Sequence, residues 1–160
     1  MFKLLNTIII LLSIGTAFSQ VQHSTQTIIF DNPSSTDWTL YFTDSQKIKI
    51  EYKFIHCDYN SGYDQDMILF RVTNLTTNDL ATNWHAELYY EEGCVTCDKV
   101  NEYSYGLNLS GGEVVEGDCV RGVDHALKMF YGFNDTNYTI PDARYLTGFK
   151  LGSLVVTSAQ

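Results

Sequence analysis

The sequence predicts an all-β fold, an antiparallel β-sandwich of about 7–9 strands, and three observations predict it. Apolar and polar side chains alternate with a period of two through most of the chain. Short clusters of Asn, Asp, Gly, Pro, Ser and Thr interrupt that alternation every ten residues or so. No segment carries the sustained i, i+3, i+4 apolar spacing of an amphipathic helix, and runs of strands without helices pack as stacked sheets.

Residues 1–19, "MFKLLNTIIILLSIGTAFS", stand apart from this pattern. A basic residue, Lys3, precedes an apolar run from Ile8 to Ile14, and small residues follow at Ala17-Phe18-Ser19, the spacing a signal peptidase reads. The run is too short to span a bilayer. The expectation is a cleaved secretory signal at 1–19, a single sandwich domain at 20–160, a secreted or periplasmic location, and no membrane anchor after cleavage. Cleavage removes Lys3 and no acidic residue, leaving 9 basic against 19 acidic side chains, a formal charge of −10. Without a basic cluster, this balance argues against nucleic acid and anionic membrane as partners.

The strands follow in order. "TIIF" (27–30) and "WTLYF" (38–42) flank the turn "DNPSS". "KIKIEYKF" (47–54) places Ile48, Ile50, Tyr52 and Phe54 on one face, with Lys47, Lys49, Glu51 and Lys53 on the other. "MILFRV" (67–72) is apolar almost throughout. "NWHAELYY" (83–90) sets Trp84, Ala86, Leu88 and Tyr90 against Asn83, His85, Glu87 and Tyr89. "EYSYGLNL" (102–109) aligns Tyr103, Tyr105, Leu107 and Leu109, and "SGGE" turns it toward "EVVEGDC" (113–119). "LKMFYGF" (127–133) and "FKLGSLVV" (149–156) complete the set, separated by "NDTN" and "PDA". The tract "ILFRVTNLTTNDLATNWHAELYY" resembles the strand–polar turn–strand hairpins of secreted immunoglobulin-like domains, and that resemblance implies an immunoglobulin-like sandwich. The Trp and disulfide spacing of antibody domains is absent, and a jelly roll is the rival architecture.

Four cysteines, Cys57, Cys94, Cys97 and Cys119, invite three readings: two disulfides, a four-thiolate zinc site, or a redox pair beside a structural pair. Export favours disulfides. A four-cysteine zinc site usually shows two Cys-x-x-Cys knuckles, and only one is present. Pairing sequential strands as hairpins sets Cys57 beside Asp66, Asp66 beside Glu91, and Cys119 beside Asn101 or Glu102, so that all four thiols gather at one end. Loop closure favours Cys94–Cys97 (roughly 2 kcal/mol at best) with Cys57–Cys119 (roughly 4 kcal/mol). The crossed pattern, with Cys119 bonded to Cys94 or Cys97, stays open.

Chemistry-bearing residues are sparse. "CDYNSGYDQD" offers Asp58, Asn60, Asp64 and Asp66 as candidate calcium ligands on a Gly-containing loop, with Glu91, Glu92 and Asp98 as neighbours if the cysteine ends converge. The loop is not an EF-hand, because Gly62 takes the place of a ligand; an ordinary solvated acidic turn is the competing reading, and no other cofactor is indicated. Of the histidines, His23 falls in the N-terminal approach, His85 shares a polar face with Glu87 and is expected to meet water, His56 has inward parity at a strand end, and His125 follows Asp124. There is no His-Glu-x-x-His, no Gly-x-Ser-x-Gly and no nucleotide fingerprint, so an enzyme, at most a small hydrolase, is the least supported class.

Binding is better supported. The chain after residue 19 keeps 2 Trp, 11 Tyr and 7 Phe, and Tyr suits recognition surfaces because an apolar ring carries a polar tip. Tyr59, Tyr63 and Tyr89 are the candidate ligand-binding residues, set against the reading that Tyr merely fills sheet faces. The expected function is non-catalytic protein recognition, adhesion or an envelope role, with a carbohydrate-binding module as the alternative. Partners are a protein or a glycan outside the cytosol. Asparagine sequons stand at Asn74, Asn108, Asn134 and Asn137.

Overall fold

The computed structural model describes residues 21–31, 35–59, 62–122, 125–134 and 144–158, and among these every regular element is a strand. In chain order they are β1 (Val21–His23), β2 (Ile28–Ile29), β3 (Thr39–Asp44), β4 (Ile48–Cys57), β5 (Gln65–Asn74), β6 (Leu80–Tyr90), β7 (Gly93–Cys94), β8 (Ser104–Leu109), β9 (Val114–Glu116), β10 (Lys128–Phe133) and β11 (Gly148–Ser158). They form two antiparallel sheets packed as a sandwich. The six-stranded sheet runs β1-β11-β6-β7, with β2 also on β11 and β8 also on β6; the five-stranded sheet runs β10-β5-β4-β3, with β9 on β5. The proposed signal peptide lies outside the described residues.

The period-two pattern decides which side chains enter the core. On β4, Ile48 and Ile50 are fully buried, and on β5 Ile68, Phe70 and Val72 meet them across the pairing Ile48↔Asn74 to Phe54↔Ile68. Phe149 on β11 is the hub of the aromatic core. Its ring lies 5.4 Å from Tyr41, 5.3 Å from Tyr52 and 5.4 Å from Phe70, mostly tilted or edge-on as ring quadrupoles prefer. Full burial of each such side chain stabilises by about 2–3 kcal/mol relative to exposure. Tyr41 also ties the layers together through its polar tip. Its hydroxyl donates to the Gln26 carbonyl (3.0 Å) and accepts from the Leu151 amide (2.8 Å), and burial pushes its phenol pKa up.

The connection after β5 departs from the hairpin expectation. β5 and β6 belong to different sheets, so Asp66 does not come beside Glu91. The five-residue link is wound around Asn74, which is 1% exposed. Asn74 Nδ2 donates to the carbonyls of Asn78 (2.7 Å), Ser110 (2.9 Å) and Leu109 (3.3 Å), while Oδ1 accepts from the Thr76 amide and hydroxyl, both at 2.9 Å. These bonds hold the turn that carries the chain from one layer to the other. Likewise β9 pairs with β5 through Val72↔Val115, not with β8, so Cys119 does not return beside Asn101 or Glu102.

The disulfides are Cys57–Cys119 and Cys94–Cys97. The first closes on the outer face of the five-stranded sheet, in a small cluster with Met67, Leu69, Trp38 and Phe130. The second lies at the β7 edge of the six-stranded sheet. The four thiols therefore divide between two layers. Cys57 pairs with Gln65, one residue from the expected Asp66. Two disulfides fit an oxidising, extracytoplasmic compartment.

Two side chains expected in water are buried. Glu51, on the outer face of β4, is 9% exposed because Arg71 Nε (2.8 Å) and Lys49 Nζ (3.0 Å) close on its carboxylate. Arg71 in turn lies 4.5 Å from the Trp38 ring, and Lys53 covers the same ring at 4.5 Å. His85 is 5% exposed. Its strand partners are Gly152 on β11 and Ser104 on β8, and neither ring nitrogen has a hydrogen-bond partner among the described residues. Beside it β11 takes in one extra residue between Gly152 and Val155, where Ser153 adopts a left-handed φ of 52°. That bulge shifts the facing strand and brings Ser153 to the rim of the His85 groove.

Candidate functional site

A cavity of about 390 Å³ opens between the edge strands β8 of one sheet and β10 of the other. Its inner wall is Trp84, Ala86 and Leu88 of β6 with Tyr105 of β8 and Met129 of β10. These are inward residues of their strands; Trp84, Ala86 and Met129 are buried, and Leu88 and Tyr105 partly so, behind the opening. The groove then passes around β10 to Tyr59, Met67 and Phe130, members of the small cluster on the outer face. A volume of this order is that of a ligand site.

Charge at the rim is unlike that of the chain as a whole. Arg121 and Lys128 stand over an apolar floor in a protein of formal charge −9. The Arg121 guanidinium lies 4.0 Å from the Tyr59 ring, and its Nη2 donates to the Tyr63 carbonyl at 3.4 Å. Lys128 Nζ donates to the Val120 carbonyl. Neither cation has a carboxylate partner among the described residues. The Cys57–Cys119 bond anchors the loop that carries Arg121. Burial, with the neighbouring Tyr103, pushes the Tyr105 phenol up, so it remains a neutral hydrogen-bonding group.

The three tyrosines singled out from the sequence do not share one surface. Tyr59 lines the groove. Tyr63 is 46% exposed and sets its ring edge-on against Phe133 at 5.8 Å. Tyr89 lies on the other sheet, half-buried, with its hydroxyl donating to Glu87 Oε2 at 2.9 Å. Sequence reasoning missed Arg121, Lys128 and Met129. Their meeting requires Cys119–Gly122 to lie beside β10, where Lys128 reaches the Val120 carbonyl, and no local pattern encodes that.

Among the acidic-loop residues, Asn60 lies outside the described residues and Asp58 is exposed. Asp64 and Asp66 flank His56: Nδ1 sits 2.9 Å from Asp66 Oδ1 and Nε2 3.9 Å from Asp64 Oδ2. Asp66 Oδ2 also accepts from Asn134 Nδ2 (2.9 Å), and Asp64 Oδ1 from the Tyr59 amide (2.8 Å). His56 keeps its inward parity, but its side chain is 46% exposed because it lies at the end of β4. Glu92 pairs with Arg144 at 3.1 Å, apart from these carboxylates. No group of three or more metal-ligating side chains converges among the described residues. His23, expected in a loose approach, lies in β1 opposite Leu154, 3.8 Å from Asp44. His125 lines the groove.

The sequence matches no family model and no curated protein. A solved structure, that of a DUF1425 family member from Shewanella sp. pv-4, is similar at 14% identity and a TM-score of 0.34, covering 84% of this chain and 97% of that one. At that distance the likeness bears on neither the site nor its chemistry.

Proposed function

We propose that the protein is an exported, secreted or periplasmic, immunoglobulin-like sandwich that binds a partner protein without chemistry. The partner offers a short segment that places an apolar side chain in the β8–β10 groove and a carboxylate against Arg121 and Lys128. One observation carries this reading: two cations without a carboxylate partner among the described residues stand at the mouth of an apolar groove on a strongly acidic chain. Desolvated apolar contact supplies affinity, and the charge pair supplies orientation. The glycan alternative has less support, because Tyr59, Tyr63 and Tyr89 form no aromatic row.

Trp84 in the groove wall gives a direct test. Octapeptides carrying an aromatic residue next to an acidic one should shift its emission, while aromatic–basic and polar–acidic peptides should not. Arg121→Ala and Lys128→Ala should each weaken that binding on the order of tenfold. Equal response to all three peptide classes would remove the reading. Retention on a polysaccharide column, lost in Tyr59→Ala, would replace it with the carbohydrate-binding one.

A further inference from the structure

The Cys94–Cys97 bond closes a four-residue ring whose shape is already fixed by other contacts. The buried Thr96 hydroxyl donates to the Ala86 carbonyl (2.7 Å) and accepts from the Leu88 amide (2.8 Å). The Val95 amide donates to Leu88 (2.9 Å), the Lys99 amide to Thr96 (2.9 Å), and Cys94 is paired with Tyr89 in the β6–β7 ladder. So small a ring also removes little chain entropy. Cys57, by contrast, is 1% exposed and belongs to a hydrophobic cluster.

The surroundings of the small ring are chemical rather than structural. Cys97 is exposed and Cys94 half-buried, so an incoming sulfur reaches Cys97 first. Glu87 Oε2 stands 3.8 Å from Cys97 Sγ. That carboxylate is fixed from its other sides by Lys150 Nζ (3.2 and 3.3 Å) and the Tyr89 hydroxyl (2.9 Å). It lies over Gly152, where a Cβ would meet Oε1 at 2.1 Å. A disulfide sulfur has no hydrogen to donate, so the position of Glu87 is set without it. Reduction creates an S–H where a carboxylate acceptor is already in place, and a hydrogen bond to a carboxylate stabilises the reduced form. Stabilising the reduced form makes a disulfide a better electron acceptor.

We infer that Cys94–Cys97 is a thiol–disulfide exchange centre that takes two electrons from a dithiol, while Cys57–Cys119 remains the structural bond. One partner thiol loses its proton and attacks Cys97 Sγ; the ring S–S bond breaks, and its electron pair leaves on Cys94, which takes up a proton. The partner's second thiol loses its proton and attacks its own sulfur in the mixed disulfide. The bond to Cys97 breaks, and Cys97 takes the electron pair and a proton, donating the new S–H to Glu87. The partner departs as a disulfide, and two electrons and two protons have passed to the protein.

The test treats the full oxidised chain with dithiothreitol at neutral pH without denaturant, traps thiols by alkylation, and maps them by peptide mass. Cys94 and Cys97 should label on the order of 100-fold sooner than Cys57 and Cys119, with far-UV circular dichroism unchanged. A reduced, unstructured two-cysteine peptide should be oxidised by one equivalent of protein. After selective reduction, Glu87→Gln should raise the alkylation rate of Cys97 at pH 7 about threefold or more, because a neutral amide oxygen is a weaker acceptor for the Cys97 S–H than a carboxylate. Simultaneous opening of both bonds with loss of the circular dichroism signal, or failure to oxidise the peptide, overturns the inference. An unchanged alkylation rate in Glu87→Gln overturns the part assigned to the carboxylate.

Discussion

Replacing Asn74 by alanine removes the hub of the turn between the sheets, and its cost follows from the bonds it makes. An amide nitrogen has two hydrogens, so the 2.7 Å and 2.9 Å contacts to Asn78 and Ser110 are full bonds and the 3.3 Å contact to Leu109 is a shared one. With the bond accepted from the Thr76 amide, three full bonds disappear, and the bond from the Thr76 hydroxyl is a second shared one, because its single hydrogen also has the Asn78 carbonyl at 2.9 Å. At about 1 kcal/mol for a full bond and about half that for a shared one, the gross loss is about 4 kcal/mol. Water reaches the exposed Asn78 and Ser110 carbonyls in the variant and restores part of this, leaving about 3 kcal/mol. That is a fifth or more of the roughly 5–15 kcal/mol that holds a domain together. With an unfolding entropy of about 0.3 kcal/mol/K for a domain of this size, Tm should fall by about 10 °C. Urea unfolding followed by far-UV circular dichroism measures the change as a lower midpoint at constant slope. Asn74→Asp keeps both acceptor bonds but turns a carboxylate toward three carbonyls, so it should cost at least as much as alanine. A loss below about 1 kcal/mol in Asn74→Ala would refute the assignment of this turn to the asparagine.

Two further outcomes follow from buried polar groups. Tyr41→Phe leaves the Gln26 carbonyl and the buried Leu151 amide without their partner, and urea midpoints should report a loss of about 2 kcal/mol. Glu51 has its pKa lowered from 4.5, first by the hydrogen bond from Arg71, against the opposing effect of burial. A depressed carboxylate contributes stability above its unfolded pKa and loses it as pH falls through the folded value. Stability measured from pH 6 downward should therefore drop below about pH 4.5, and Glu51→Gln should flatten that part of the profile.

How much of this was legible in the sequence depends on whether the signal is local. Alternation in "KIKIEYKF" names the buried Ile48 and Ile50 because a strand's two faces are fixed by parity alone. The same parity fails for Glu51 and His85, because side chains from neighbouring strands and loops close over both. Arg71 and Lys49 close on Glu51, and Val100, Ser104 and Ser153 line the groove at His85. Alternation also says nothing about which sheet a strand joins. The turn after β5 read as a hairpin because "NLTTND" is rich in turn formers, yet the burial of Asn74 makes it a crossing between layers. That burial removes Asn74 from the accessible sequons of the folded chain, whereas Asn108 and Asn134 are exposed and Asn137 lies outside the described residues. The groove was half visible: Tyr59 stood out as a loop aromatic, but its basic neighbours are recruited by a disulfide spanning 62 residues.

The position of β11 has a consequence for the order of events in biogenesis. β11, which follows the other ten described strands in the chain, is an interior one, holding β1 and β2 on one side and β6 on the other. Until the ribosome has delivered residues 148–158, β1 and β2 have no strand to pair with, and the aromatic hub at Phe149 is missing. Until then that layer is incomplete, its β6–β7–β8 part unpaired along the edge that β11 takes. Truncation a dozen residues from the end would strand the polypeptide in that open condition.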